Sequence, residues 1–286
     1  MDAFTWVRFT PTGFAWILVF HHNKAQNMIV TICKNKLLAA LPRDDLEALS
    51  EILEFCELPI HTKLEVAHRP IESIYFIETG VASIAASLPT NLQYEVGVVG
   101  SEGMSGASVV LGDTEGPYDC SMQIAGSAYR LARVDFVNLL CQRRSMERFF
   151  MKFARLAAIQ TGYTALSAGK TKFKYRLARW LLMIHDRIEG DQIEISHDLL
   201  GQMLGSHRPA VTDAMHLLQG TGAIRNKRKS IIIKDREILE RAAGPIYGPA
   251  EKEYERIMGR PMVRPVTIPR QKMRSRPDLH IFHLPN

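Results

Sequence analysis

Residues 195–222 read ISHDLLGQMLGSHRPAVTDAMHLLQGTG, and Ser206, His207, Arg208, Thr212, Asp213 and His216 within them carry donors and acceptors suited to reading a polar surface. Ser196 is a good N-cap for a helix running through Met203, with Leu199, Leu200, Met203 and Leu204 as its apolar stripe. Gly205 permits the left-handed backbone needed to leave that helix sharply. Ser206 is placed to cap a second helix, with Pro209 in its first turn, where a missing N–H does no harm. Val211, Met215 and Leu218 recur at i, i+4 and i+7 and face inward, which turns Arg208, Thr212, Asp213 and His216 outward. Two short helices about a tight glycine turn make a helix-turn-helix, whose second helix fits a duplex major groove. There an arginine pairs with guanine O6 and N7, and an aspartate accepts from cytosine N4. The following GAIRNKRKSIIIKD is a basic turn between two β-prone pieces. It reads as a wing, with Arg225, Lys227, Arg228 and Lys229 able to reach phosphates.

The rest of the chain must position that block. Of 286 residues, 46% are hydrophobic and 23% charged, ordinary values for a chain with a sizeable core. The net charge of +6 hides a division. Residues 1–142 hold 9 Lys or Arg against 16 Asp or Glu, and residues 143–286 hold 27 against 14. A basic half joined to an acidic half fits a nucleic-acid reader fused to a sensor. No Lys or Arg lies between Arg69 and Arg130, so that stretch is poorly equipped to hold a phosphate through cationic side chains.

In the acidic half, LLAALPRDDLEALSEILEF spaces Leu46, Leu49, Ile52 and Leu53 as a helix. KLEVA, SIYFIETG, VASIAAS, LQYEVGVVG, CSMQIAG and AYRLARV then read as short strands separated by turns, an antiparallel sandwich or barrel. A long helix is expected over about 135–168, where Met146, Phe150, Phe153 and Ala157 recur at spacings of 4, 3 and 4. Such a stripe suits pairing with a second copy, although it also fits packing on its own domain. A basic helix follows over Phe173–Ile188. The expected fold class is α+β.

This chain resembles the Crp/Fnr family of transcription regulators. The resemblance rests on SIYFIETGVASI, VGVVGSEGMSG, RLARWLLMIHDRI and SHDLLGQMLGSHRPAVTDAMHLLQGTGAIR, and covers about residues 36–259. It implies an N-terminal β-roll of the cyclic-nucleotide-binding type, a long dimerisation helix and a C-terminal winged helix-turn-helix. On this reading residues 1–35 are an extension, 36–134 the β-roll sensor, 135–168 the dimerisation helix, 169–244 the DNA-binding domain and 245–286 a C-terminal helix with a basic tail. Residues 1–28 are expected to be dispensable, with Met28 as the functional start. The partners implied are double-stranded DNA, a second copy of the chain, RNA polymerase and an unknown small-molecule effector, in the cytoplasm and away from membranes.

The family's cyclic-AMP binders place a Gly-Glu pair ahead of an Arg-Ser pair in the phosphate cassette. Here Glu102 with Gly103 resembles the first element, and Pro117–Ser121 (PYDCS) stands at the second without an arginine. Glu102, Gly103, Tyr118, Asp119, Cys120 and Ser121 are therefore the candidate effector pocket, and Asp119 would repel a phosphate. The reading helix departs as well: Arg208 matches the family's first reader, whereas Pro209 and Asp213 replace the usual partners. The four cysteines, at 33, 56, 120 and 141, have no close pair, so no disulfide framework, CxxC zinc site or iron–sulfur cluster is expected. No Ser/His/Asp spacing, Gly-rich phosphate loop or metal-ligand cluster points to an enzyme, and no cofactor is called for. The rival reading is a small-molecule-binding β-roll whose helical domain mediates protein contacts.

Overall fold

Glycines at two facing positions shape the main sheet. Strand propensity around them is high, and each lies where another backbone comes so close that a Cβ has no room. A Cβ on Gly126 would collide with the Thr79 carbonyl, and one on Gly80, at φ 81°, would meet the carbonyl oxygens of Ile124 and Ala125. The two glycines therefore mark bulges inside long strands, where sequence reading expects turns between short ones. SIYFIETG and VASIAAS join into one strand, and CSMQIAG and AYRLARV into another.

The computed structural model describes residues 17–19, 30–90 and 92–262. Strands β1 (Ile17–Val19) and β2 (Val30–Ile32) pair antiparallel. Helix α1 (Arg43–Ser50) is followed by β3 (Glu54–Leu58), β4 (Lys63–Glu65), β5 (Ser73–Ser87) and β6 (Gln93–Val99). After the one-turn α2 (Ala107–Val110) comes β7 (Asp119–Ala132). These strands form an antiparallel sheet in the order β3-β7-β5-β6, with β4 also on β7. The helical reading of residues 46–53 is too long: α1 stops at Ser50, and residues 54–58 join the sheet as β3. The roll also begins earlier than residue 36. Asn35 is fully buried and donates to the carbonyls of Ile77 and Gly103, while Glu78 accepts from the amides of Lys34 and Asn35. The expected start at Met28 and the basic tail beyond residue 262 lie outside the described residues.

The expected single helix over 135–168 is two helices, α3 (Arg133–Gln142) and α4 (Arg144–Lys170). Arg143 breaks them with φ −127° and ψ 87°. At the break, Asp45 on α1, a buried carboxylate, accepts from Arg143 Nη1 at 3.2 Å and from Ser145 Oγ at 2.8 Å. Phe150 of α4 meets Phe136 of α3 and Phe76 of β5 at centroid distances of 5.2 and 5.7 Å. Met146, Phe150 and Phe153 are thus buried in the roll's own core and Ala157 is half-buried, which removes the expected dimer stripe from the surface. The outer face of α4 carries Met151, Arg155, Ala158, Gly162, Ala165 and Gly169 instead, at spacings of four and three and open to solvent in whole or in part.

The C-terminal half is a separate core. Helix α5 (Phe173–His185) leads to β8 (Gln192–Glu194), α6 (His197–Met203), α7 (Arg208–Gly220), β9 (Ile224–Lys227), β10 (Ser230–Ile233), α8 (Arg236–Ala243) and α9 (Pro249–Met258). The wing is a three-stranded antiparallel sheet, β8-β10-β9, whose first strand carries no strong sequence signal. Leu177, Leu181, Ile184, Leu200, Val211, Met215 and Leu239 fill this core, together with Val81 and Val98 from the roll.

Candidate nucleic-acid interface

The reading surface is built from helix ends. Ser196 caps α6, its Oγ accepting from the Leu199 amide at 3.2 Å. The helix leaves through Gly205 at φ 59°. The next helix departs from expectation by one residue. His207, not Ser206, occupies the N-cap of α7, without a side-chain bond, because the Ser206 amide turns back to the Gly201 carbonyl at 2.7 Å. Val211, Met215 and Leu218 are buried as their spacing requires.

This leaves His207, Arg208, Asp213 and His216 exposed, with Ser206 and Thr212 half-buried at the edge. Arg208 Nη1 lies 3.2 Å from Asp198 Oδ2, and both side chains are 66% exposed. An ion pair so open to water contributes about 0–1 kcal/mol, so Arg208 exchanges that partner readily. In the wing, the β9–β10 turn holds Lys229 at φ 58°, and Arg225, Lys227, Arg228 and Lys229 are all exposed. The structure thus brings the ten expected DNA-facing residues onto one helix-plus-wing unit.

Two residues of this surface escaped sequence reading. His197, the first residue of α6, lies 3.2 Å through Nδ1 from Thr212 Oγ1 and 3.3 Å through Nε2 from Asn226 Oδ1. Their only sequence signal is position: His197 follows an N-cap serine, and Asn226 interrupts a run of cations.

The six candidate effector residues have different surroundings. Glu102 is buried and faces the C-terminal domain, where its Oε1 accepts from Arg187 Nε at 2.8 Å. Beside that pair lies a cavity of about 50 Å³, lined by Gln160, Glu251 and Tyr254 among others. Gly103 packs against Val99 and Phe153. Tyr118 is exposed, Asp119 lies 3.9 Å from Lys63, Ser121 is half-buried, and Cys120 is buried in the roll, where desolvation pushes its thiol up. The residue sequence reading missed here is Glu65. Its Oε1 accepts from the Gly106 amide at 2.7 Å, immediately before α2, and burial pushes its carboxyl up.

Between the two cores, β6 lies against α5 and α6. Glu95 is buried and accepts from Ser83 Oγ and from Trp180 Nε1, each at 2.6 Å. Desolvation raises its carboxyl to about 7, with those two bonds and the charges of Arg187 and Arg179 opposing. Gln202 Nε2 donates to Gln93 Oε1, and the Tyr94 ring closes on Gly205, where a Cβ would stand 2.8 Å from ring carbons. Below, Asp186 accepts from Arg236 Nη2 at 2.7 Å and from the Tyr247 hydroxyl at 2.9 Å, and burial pushes its carboxyl up. Among the described residues there is no cluster of three or more His, Cys, Asp or Glu placed to hold a metal, and no helix long and apolar enough to cross a membrane.

An antiparallel roll, a long connecting helix and a winged helix-turn-helix define the class of nucleic-acid-reading proteins built from two unlike domains. The C-terminal part is a Crp-like helix-turn-helix domain, matched over residues 175–242. The fold is that of the Crp/Fnr transcription regulators. A protein from Eubacterium rectale described as a regulator of that family superposes with TM-score 0.59 at 13% identity, over 73% of this chain and 98% of that one. FixK2 from Bradyrhizobium japonicum superposes with TM-score 0.56 at 15% identity, over 68% and 98%. A Crp-family transcriptional regulator from Thermus thermophilus gives 0.55 at 17%, over 66% and 96%. No curated protein matches the chain in sequence.

Proposed function

We propose that this chain is a cytoplasmic, sequence-specific transcription regulator that binds a pseudo-palindromic operator as a homodimer. One observation carries the reading: α7 presents Arg208, Asp213 and His216 to solvent beside a wing bearing four exposed cations. Base-edge readers and phosphate readers then lie on adjoining elements, as direct readout requires. The match of residues 175–242 to a Crp-like helix-turn-helix domain supports it. The dimer forms along the outer face of α4, where small residues permit close helix approach.

The β-roll senses something other than a cyclic nucleotide. Three features support this: the absence of Lys and Arg between Arg69 and Arg130, the acid at Asp119, and the Glu65 carboxyl held on the Gly106 amide. A thermal-shift titration with millimolar cyclic AMP or cyclic GMP should leave the melting temperature unchanged. A saturable shift would contradict that part of the proposal.

DNA binding itself is tested by mobility shift at two salt concentrations. Each phosphate neutralised contributes about −0.9 to the slope of log K against log salt, so affinity should fall steeply. A salt-insensitive or absent shift would favour protein contacts as the role of the helical domain.

A further inference from the structure

At the middle of the reading face, polar contacts tie three elements together through one side chain. Thr212 Oγ1 carries a single proton and donates it to the Arg208 carbonyl at 3.1 Å, one turn back along α7. The same hydroxyl oxygen lies 3.2 Å from His197 Nδ1, and His197 Nε2 lies 3.3 Å from Asn226 Oδ1, so one ring bridges α7 and β9. The charged groups on the three elements around it are Asp198 of α6, already paired with Arg208 of α7, Asp213 and His216 further along α7, and Arg225 and Lys227, which flank Asn226 on β9.

We infer that His197 is a positioning residue of the DNA-reading face, a clamp that fixes the recognition helix α7 against the wing. This rests on the DNA-binding reading above. The clamp works with a second tie at the other end of α7, where Gln219 Oε1 accepts from the Asn226 amide at 2.9 Å. Asn226 is thereby held from both ends of the recognition helix, so its neighbours Arg225 and Lys227 keep one distance from Arg208 and His216. Base contacts and phosphate contacts must be made at the same time for specific binding, whereas non-specific binding needs phosphate contacts alone. Loss of the clamp therefore weakens operator binding far more than binding to random DNA.

The experiment uses the full chain with the duplex enriched from a random pool and with a scrambled duplex. Affinities of the wild type, H197A and H197Q are measured on both duplexes at one pH. H197A should bind the operator about tenfold more weakly than the wild type, the worth of one or two hydrogen bonds, and should lose much less on the scrambled duplex. H197Q, whose amide can reach Thr212 or Asn226 but not both, should fall between the two on the operator. Wild-type operator affinity in H197A, or equal losses on both duplexes, would overturn the clamp. Failure of the wild type to bind either duplex is a different result, one that removes the DNA-binding reading and the clamp with it.

Discussion

Arg187 and Arg208 belong to the same basic half of the chain, and their surroundings are opposite. Arg187 has a side chain 1% exposed, donates to Glu102 at 2.8 Å and reaches the Met183 carbonyl at 2.6 Å. Arg208 is 66% exposed beside an equally exposed acid. The first sits at the junction of the two cores, where desolvation makes an unmatched charge expensive and pairing obligatory. The second sits at the exposed start of α7, where water screens its partner. Positive charge along the sequence thus divides into two populations: one joins the domains, the other is open to solvent on α7 and the wing.

Removing the junction charge should have the largest effect. Arg187→Met leaves Glu102 buried without its partner, and unfolding free energy should fall by about 3–5 kcal/mol in urea titrations. A loss below about 1 kcal/mol would mean that the pair is as dispensable as a surface one.

The second test concerns Glu95, which joins β6 to α5 at the same junction. Its carboxyl is raised to about 7 when folded, so the folded form holds its proton more tightly than the unfolded chain does. The stability this contributes is complete below the ordinary carboxylate range and is lost as pH rises through about 7. The stability difference between Glu95→Gln and wild type should shift by about 2–3 kcal/mol across that window, with Trp180 fluorescence reporting the same transition. A difference that stays constant with pH would remove the buried-carboxylate account.

On the reading face the effects are smaller and fall on binding, not on folding. Arg208→Ala should cost about 1–3 kcal/mol of operator affinity and relax the preference at one base position, with stability unchanged. Uniform loss over all sequences would show that Arg208 contacts only phosphate. Lys227→Ala should be milder still, weakening every sequence alike and reducing the salt slope by about 0.9. A change of base preference in that variant would break the division between helix and wing.

How far each region is legible in the sequence follows from the range of the contacts involved. The helix-turn-helix is local: the Ser196 cap, the αL residue Gly205 and the Val211, Met215, Leu218 stripe act within a few residues, and the folded chain uses them as their types dictate. The roll is readable as a set of strands, but not their lengths. Gly80 and Gly126 look like turn residues until the opposite backbone is known to press on each. The stripe of Met146, Phe150 and Phe153 has the period of a helix seam, and period alone does not say whether the partner is a second copy or the chain's own Phe76 and Phe136. Glu102 reads as an effector ligand by its place in a motif, and its partner Arg187 lies 85 residues away, beyond the reach of any motif. His197 and Asn226 carry no pattern, because their roles arise only where α6, α7 and β9 meet.

The central claim, a two-fold reader of specific DNA, is tested most directly by selecting bound duplexes from a random pool with the full chain. The expected result is enrichment of an inverted repeat whose half-sites are one helical turn apart, about 10–10.5 base pairs centre to centre. Recovery of duplexes with no shared half-site, at a salt concentration that suppresses non-specific binding, would contradict it.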